Sequence, residues 1–338
     1  MSAANPSSPT ARRPLGDGLT TSALGFGGMA LTPVYGGIEP DAALATLTHA
    51  VDAGVTFLDT ANVYGLGANE KLIARLLADR RAEVTVATKF GIAGNPATGD
   101  RASRGDAAYV AQCADESLSR LGIDVIDLYY LHRIDPAVPI EETVSAMSEL
   151  VRAGKVRHLG LSEVTADELR RANAVHPIAA VQSEWSLFSR DVERHVVPAA
   201  AELGVGFVPY APLGRGFLTG TVSAASIGSG DIRGHFPRFA DDALQENLIL
   251  TETIAALART SDATPAQLCL AWLIDKGERL GLPVVPIPGT RRPERIDENL
   301  GALSVHLDET VVTALDAIAA QVSGARSADA SWVSAGRE

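Results

Sequence analysis

The sequence predicts an α/β fold: one (β/α)8 TIM barrel over residues 13–320, preceded by a short N-terminal β-hairpin. Three observations predict it. Helical and strand periodicities alternate along nearly the whole chain, the strands count to eight, and 338 residues suit one barrel of roughly 250 plus insertions. Strands alternating with helices imply right-handed crossovers and a parallel sheet. An open doubly wound sheet meets the same condition, and eight units favour closure.

Before the barrel, "RPLGDGLTTSAL" sets the turn residues Gly16, Asp17 and Gly18 between short extended pieces, which predicts the hairpin. "LGFG" is the first barrel strand. In "DAALATLTHAVDAG", Leu44, Leu47 and Val51 recur at helical spacing, and Gly54 stands where the helix should stop. Strand "VTFLD", helix "NEKLIARLLADRR", strand "EVTVATKFG", helix "DAAYVAQCADESLSRLG" and strand "DVIDLYYLH" follow, then helix "EETVSAMSELVRAG" and strand "VRHLGLSEV". Thr165 and Glu168 form a capping box that opens "TADELRRAN". Strand "IAAVQSEW", helix "RDVERHVVPAAAELG" and strand "VGFVPYAPL" lead to a glycine-rich excursion from residue 214 to about 242. Helices "ALQENLILTETIAALART" and "TPAQLCLAWLIDKG" resume the pattern, the second with Thr264, Gln267 and Pro265 in its opening turn. Strand "LPVVPIP" and helix "RRPERIDENLGAL" close it. Residues 1–12 are expected to form a flexible N-terminus and 321–338 a Ser/Ala-rich C-terminal tail.

Composition narrows the function. Apolar residues make up 46% of the chain, no apolar run reaches the ~20 residues of a membrane span, and "MSAANPSSPTARRP" lacks an apolar signal core. A cytoplasmic protein with no membrane partner is expected. The formal charge of -12 argues against nucleic acid as a partner, and a small anionic ligand would need a local basic pocket. Cys113 and Cys269 sit inside helical patterns and read as buried reduced thiols. Strand ends lack clustered His and carboxylate ligands, so no metal is expected.

"LGFGGMA" has the G-x-G-x-x-A spacing of a dinucleotide fingerprint, which requires a helix immediately afterwards to hold the pyrophosphate. Pro33, Gly36, Gly37 and Pro40 forbid one, and the acidic residue expected about 20 positions on is missing. The glycines therefore mark a tight strand exit or a close approach of backbone to a ligand.

In a barrel, function sits where strands end and βα loops begin. Reading that column gives Asp59, Lys89, His132, Ser162 with Glu163, Gln182 and Tyr210. Tyr64 follows Asp59 in a loop. A phenol with pKa near ~10 is a poor acid at neutral pH, and Lys89 beside it would lower that value, with Asp59 holding the ammonium. His132 would hydrogen-bond a substrate oxygen. Such a group suits protonation of a carbonyl oxygen as hydride reaches carbon; a buried Asp-Lys pair with Tyr64 as a loop anchor accounts for the same residues. Further on, Gly289, Thr290, Arg291, Arg292 and Arg295 surround a predicted helix start, which suits a phosphate site by amides, dipole and guanidinium groups; a solvated basic turn accounts for the same residues. The loop "YAPLGRGFLTG" is glycine-rich enough to lie against a second phosphate.

"LDTANVYG", "VATKFG", "DLYYLHR", "GLSEV", "VQSEWSLFSR", "PYAPLGRGFLTG" and "PIPGTRRPERIDENLGA" occur in the order found in aldo-keto reductases, and the chain resembles that family from about residue 13 to 315. The resemblance implies an NADPH/NADP+-dependent reductase of a small-molecule carbonyl substrate, with Asp59, Tyr64, Lys89 and His132 catalytic and Tyr64 the proton donor. It implies that Ser162 and Gln182 bind the carboxamide, that Tyr210 stacks on the nicotinamide, and that Gly27, Gly28 and Met29 line that end. Ala211, Leu213 and Gly216 would wrap the pyrophosphate, and Gly289, Thr290, Arg291, Arg295, Glu298 and Asn299 the adenosine and 2'-phosphate. Two positions depart from the pattern: Glu163 stands where much of the family has Asn, and Trp185 replaces a common Tyr as barrel packing. A non-catalytic, cofactor-sensing regulatory subunit is the alternative. Substrate choice is expected to lie in "TPVYGGIEPD", "AGNPATGDRASRG", the segment with "RGHFPRF" and the tail with Trp332, with Tyr35, Val63 and Phe90 as pocket candidates.

Overall fold

The computed structural model describes residues 12–35, 37–95, 98–223, 227 and 231–338. The expected flexible N-terminus lies outside them except for Arg12, as do Gly36, Pro96, Ala97 and most of 224–230 within the specificity loops. The hairpin pairs β1 (Arg12–Pro14) with β2 (Thr20–Ser22) in antiparallel register. Its turn plugs the bottom of the barrel: Leu15 and Leu19 are buried against Phe57, Ala87, Leu128 and Ala179, and the Gly16 N–H donates to the Ala179 carbonyl at 2.7 Å. A β-carbon on Gly16 would stand 2.8 Å from that oxygen, so the turn needs glycine there.

Seven strands pair in parallel, each with the next in chain order: β3 (Gly25–Gly27), β4 (Phe57–Asp59), β5 (Thr85–Phe90), β6 (Ile126–Leu131), β7 (Val156–Ser162), β8 (Ile178–Glu184) and β9 (Gly206–Tyr210). Segment 283–288 takes the eighth place. Pro283, Pro286 and Pro288 have no N–H to give, so its ladder is incomplete. The remaining groups close the barrel on both sides: Val285 and Ile287 donate to Phe207 and Pro209 on β9, while Gly25 and Gly27 on β3 donate to Pro286 and Pro288. The interior is filled by Phe57, Leu128, Tyr130, Val208, Val285 and Ile287.

Between the strands run α1 (Pro40–Asp52), α2 (Ala68–Arg80), α3 (Ala107–Leu121), α4 (Ile140–Arg152), α5 (Ala166–Val175), α6 (Val196–Leu203), α7 (Asp241–Thr260), α8 (Pro265–Arg279) and α9 (Pro293–Gly301). Both capping boxes form as their sequences predict, and Gly122 ends α3 at φ 66°. The helix expected from Arg190 differs. A tight turn at Asp191–Glu193 precedes α6, because Pro198 inside a continuous helix would strike the carbonyl of residue 194; starting at Val196 puts it in the first turn. A further helix, α10 (Glu309–Ala319), opens on Asp308, whose side chain accepts from the Val311 N–H at 2.8 Å. Cys113 and Cys269 are buried free thiols, and Trp185 is fully buried, edge-on to Phe207 with its indole N–H on Glu193. No helix among the described residues is long and apolar enough to cross a membrane.

Candidate active site

β4 and β5 bring the first two groups together. Asp59 and Lys89 end adjacent parallel strands on the interior side, and the Lys89 Nζ donates to Asp59 Oδ1 at 2.5 Å and to the Thr60 carbonyl at 2.8 Å. Beyond β4 the chain stays clipped to β5, with Thr60 and Asn62 N–H groups bonded to Ala87 and Lys89 carbonyls. A run of left-handed residues, Gly65, Leu66 and Gly67, then turns it sharply and leaves Tyr64 over Lys89. The ammonium lies 5.2 Å from the Tyr64 ring centre, and His132, at the end of β6, meets that ring edge-on at 5.9 Å. The four residues thus share one pocket at the strand ends.

Burial governs the electrostatics. It pushes the Asp59 carboxyl up and the Lys89 ammonium down, each toward neutrality, and their mutual bond opposes both shifts. Gln182 adds a hydrogen bond from Nε2 to Asp59 Oδ2 at 2.8 Å. His132 is held well below the ordinary imidazole range by burial, then by the Arg133 and Lys89 charges, so it is neutral. Tyr64 differs from the sequence-based expectation. Its phenol is raised, by burial first and the Asp59 carboxylate second, with Arg133 and Arg215 pulling the other way. The Lys89 ammonium, bonded to Asp59, is not among the charges that pull it down. The Tyr64 hydroxyl has no hydrogen-bond partner among the described residues.

Around this group lie the other strand ends. Ser162 is buried beside Arg133, whose Nη1 approaches its Oγ at 3.3 Å. Glu163, fully buried in the left-handed region at φ 52°, accepts from the Tyr210 hydroxyl at 2.8 Å. Arg326 straddles the same carboxylate at 2.8 and 3.0 Å, and the Ser334 N–H reaches it at 2.9 Å. Burial would raise Glu163, but the Arg326 guanidinium outweighs that and brings it to about 2. Glu163 thereby fastens the C-terminal segment to the barrel mouth, a role the tail's composition does not suggest. Trp332, in that segment, lies over Arg133 at 5.3 Å and Arg101 at 5.6 Å.

The residues assigned to cofactor fall into two neighbouring groups. After β9, Ala211, Gly214, Arg215 and Gly216 have φ between 47° and 102°, a left-handed run that turns the loop back through Leu213. Opposite, α9 starts at Pro293 without a side-chain cap, beside Thr290, Arg291 and Arg292. Arg291 donates to the Gly37 carbonyl, Arg295 pairs with Glu298, and Asn299 is buried. Gly27 and Gly28 serve packing first: β-carbons there would stand 2.7 Å from the Ile287 carbonyl and from the Asp59 carbonyl. Met29 continues a single 3-10 turn, Gly28–Leu31. Of the pocket candidates, Tyr35 accepts from Arg215 at 3.2 Å and Val63 precedes the turn carrying Tyr64. Phe90 does not line the pocket: it is fully buried among the helices, stacked on Tyr129 at 4.9 Å, because β5 alternates and Lys89 takes the inward place.

The aldo/keto reductase family model matches residues 23–320, and the chain belongs to that family. It is 46% identical over 296 residues to the Glycine max protein named probable aldo-keto reductase 1, spanning 86% of this chain and 84% of that one. Over 299 residues it is 45% identical to aldo-keto reductase yakc [NADP(+)] of Schizosaccharomyces pombe, spanning 87% of each. The solved glycerol dehydrogenase of Gluconobacter oxydans matches with a TM-score of 0.81 at 27% identity, over 93% of this chain and 96% of that one. Family membership makes the chain an oxidoreductase that uses a nicotinamide cofactor.

Proposed function

We propose that the chain reduces an aldehyde or ketone to the alcohol with NADPH, and that Tyr64 delivers the proton. The observation that carries this reading is the shared pocket of Asp59, Lys89, Tyr64 and His132, with the Tyr64 hydroxyl unengaged. The cofactor, when bound, supplies hydride to the carbonyl carbon. Tyr64 holds its proton at neutral pH and presents it to the carbonyl oxygen, while neutral His132 steadies that oxygen from the other side. Asp59 anchors Lys89 against the Tyr64 ring, where it holds the proton donor in position.

The donor set fits a dinucleotide. The uncapped first turn of α9, with Arg291, Arg292 and Arg295 about it, suits a phosphate, and the glycine-rich, left-handed loop through Ala211, Leu213 and Gly216 lets backbone lie close against a second one. Ser162 and Gln182 would hold the carboxamide and Tyr210 offers its ring face. Arginine at the α9 start favours NADPH over NADH. That the relative from Schizosaccharomyces pombe carries NADP(+) in its name supports this choice.

The test is Tyr64→Phe, assayed by NADPH oxidation with a panel of aldehydes and ketones and by fluorescence titration with NADPH and NADH. Turnover is expected to fall by a factor of about 10³ with NADPH affinity retained and NADH bound more weakly. Undiminished turnover overturns Tyr64 as donor, and NADPH binding without turnover of any carbonyl in the parent chain points to the cofactor-sensing subunit.

A further inference from the structure

Arg133 follows His132 directly at the end of β6, yet no step above uses it. The arginines near it are engaged by carboxylates: Arg215 with Glu184 at 3.1 Å, Arg326 with Glu163 at 2.8 Å and Arg101 with Asp329 at 2.7 Å. Arg133 has no ion pair among the described residues. Its Nη1 touches the His132 carbonyl at 2.6 Å and the Ser162 hydroxyl at 3.3 Å, and its Nε is buried with no acceptor. A buried donor left unmade is costly, and ligand oxygen is a natural acceptor for it.

The pocket's buried acids are already engaged, including Glu163, whose carboxylate feels the Arg133 charge. Glu163 is bound by Arg326, Tyr210 and Ser334, and Asp59 by Lys89 and Gln182. The Trp332 ring lies 5.3 Å from the guanidinium carbon and flanks it on one side. The charge of Arg133 also reaches the pocket itself, where it weighs on His132 and Tyr64.

We propose that Arg133 reads an anionic group on the substrate, and that the preferred substrates are carbonyl compounds carrying a carboxylate. The proposal rests on the reductase reading and deepens it. A carboxylate oxygen meets Nη2, the guanidinium nitrogen that has no hydrogen bond among the described residues, and Trp332 flanks the apolar stem between carboxylate and carbonyl.

The experiment compares 4-formylbenzoate with its methyl ester in the full chain and in Arg133→Met. The parent chain is expected to show at least tenfold higher kcat/KM for the acid, through KM. In Arg133→Met the ratio of acid to ester kcat/KM falls to about one, whatever change both share through the loss of the Arg133 charge beside His132 and Tyr64, and an unaltered thermal midpoint with NADPH bound certifies the fold. Arg133→Lys keeps part of the preference, because charge remains and the fork is lost. Equal losses on acid and ester, no preference in the parent, or a matching fall in NADPH affinity overturn the proposal; the last makes Arg133 a cofactor contact beside Ser162. Calorimetric binding of 4-(hydroxymethyl)benzoate and its ester to NADP+-loaded protein separates the two readings. Acid-selective binding lost in Arg133→Met with no aldehyde turned over sinks the reductase reading and keeps the anion site, while turnover of both aldehydes without selective binding does the reverse.

Discussion

Tyr64 keeps its proton because burial and the Asp59 carboxylate outweigh the two arginines that favour phenolate. The raised pKa leaves the phenol protonated throughout the neutral range, so loss of the proton cannot limit reduction there. The kcat for reduction at saturating NADPH is expected to stay level from about pH 6 to about 9, and a pH-rate profile checks it. A fall with rising pH centred near 7 would mean that the loaded site brings the phenol down. At this scale much of the pocket was legible. Asp59, Lys89 and His132 each end an apolar run, and a polar group there in a parallel barrel faces the mouth. The phenol's environment was not legible, since it depends on how far Lys89 is committed to Asp59. Nor was Arg326, which lies in a stretch without periodicity and acquires meaning only from Glu163, far back in the chain.

The elements show how little a motif's spacing says about its purpose. Gly27 and Gly28 resemble a phosphate cradle in the sequence, and in the structure their first role is steric, since they let β3 leave the barrel against segment 283–289 and the end of β4. A β-carbon on Gly289 would collide with the Gly27 carbonyl and sit 2.9 Å from the Ala30 side chain. Neither neighbour can move freely, because Gly27 donates to Pro288 in the closing ladder. Gly289→Ala is therefore expected to destabilise by about 1–3 kcal/mol and to lower the thermal midpoint by several degrees, measured by circular dichroism. Eight strands were countable because each carries a β-branched or apolar run between helical stretches. The irregularity of the eighth was implicit in its three prolines. Helix α10 escaped because the beat of strand and helix had already reached eight, although Asp308 before an apolar period marks its start.

For the molecule as a whole, the carboxylate of Glu163 joins elements that are remote in sequence. It accepts from the end of β9 through Tyr210 and from the C-terminal segment through Arg326 and Ser334, and the same arginine reaches Asp191 ahead of α6. A neutral amide at this point could not pair with a buried guanidinium in the same way. Replacing the acid by Gln leaves Arg326 to Asp191 alone, and the loss at neutral pH is expected to be about 3 kcal/mol. The pH dependence carries a sign. The folded pKa, about 2, lies below the ordinary carboxyl value of 4.5, so the contribution is complete above about pH 4.5 and disappears as pH falls toward 2. Urea unfolding of the parent and Glu163→Gln chains should thus differ by their full amount at pH 7 and converge between pH about 4.5 and about 2. A difference that persists unchanged to the acid end would assign the loss to packing. Limited proteolysis gives a second view, since the C-terminal segment should be cut first in Glu163→Gln and at the parent's slow rate if other contacts hold it.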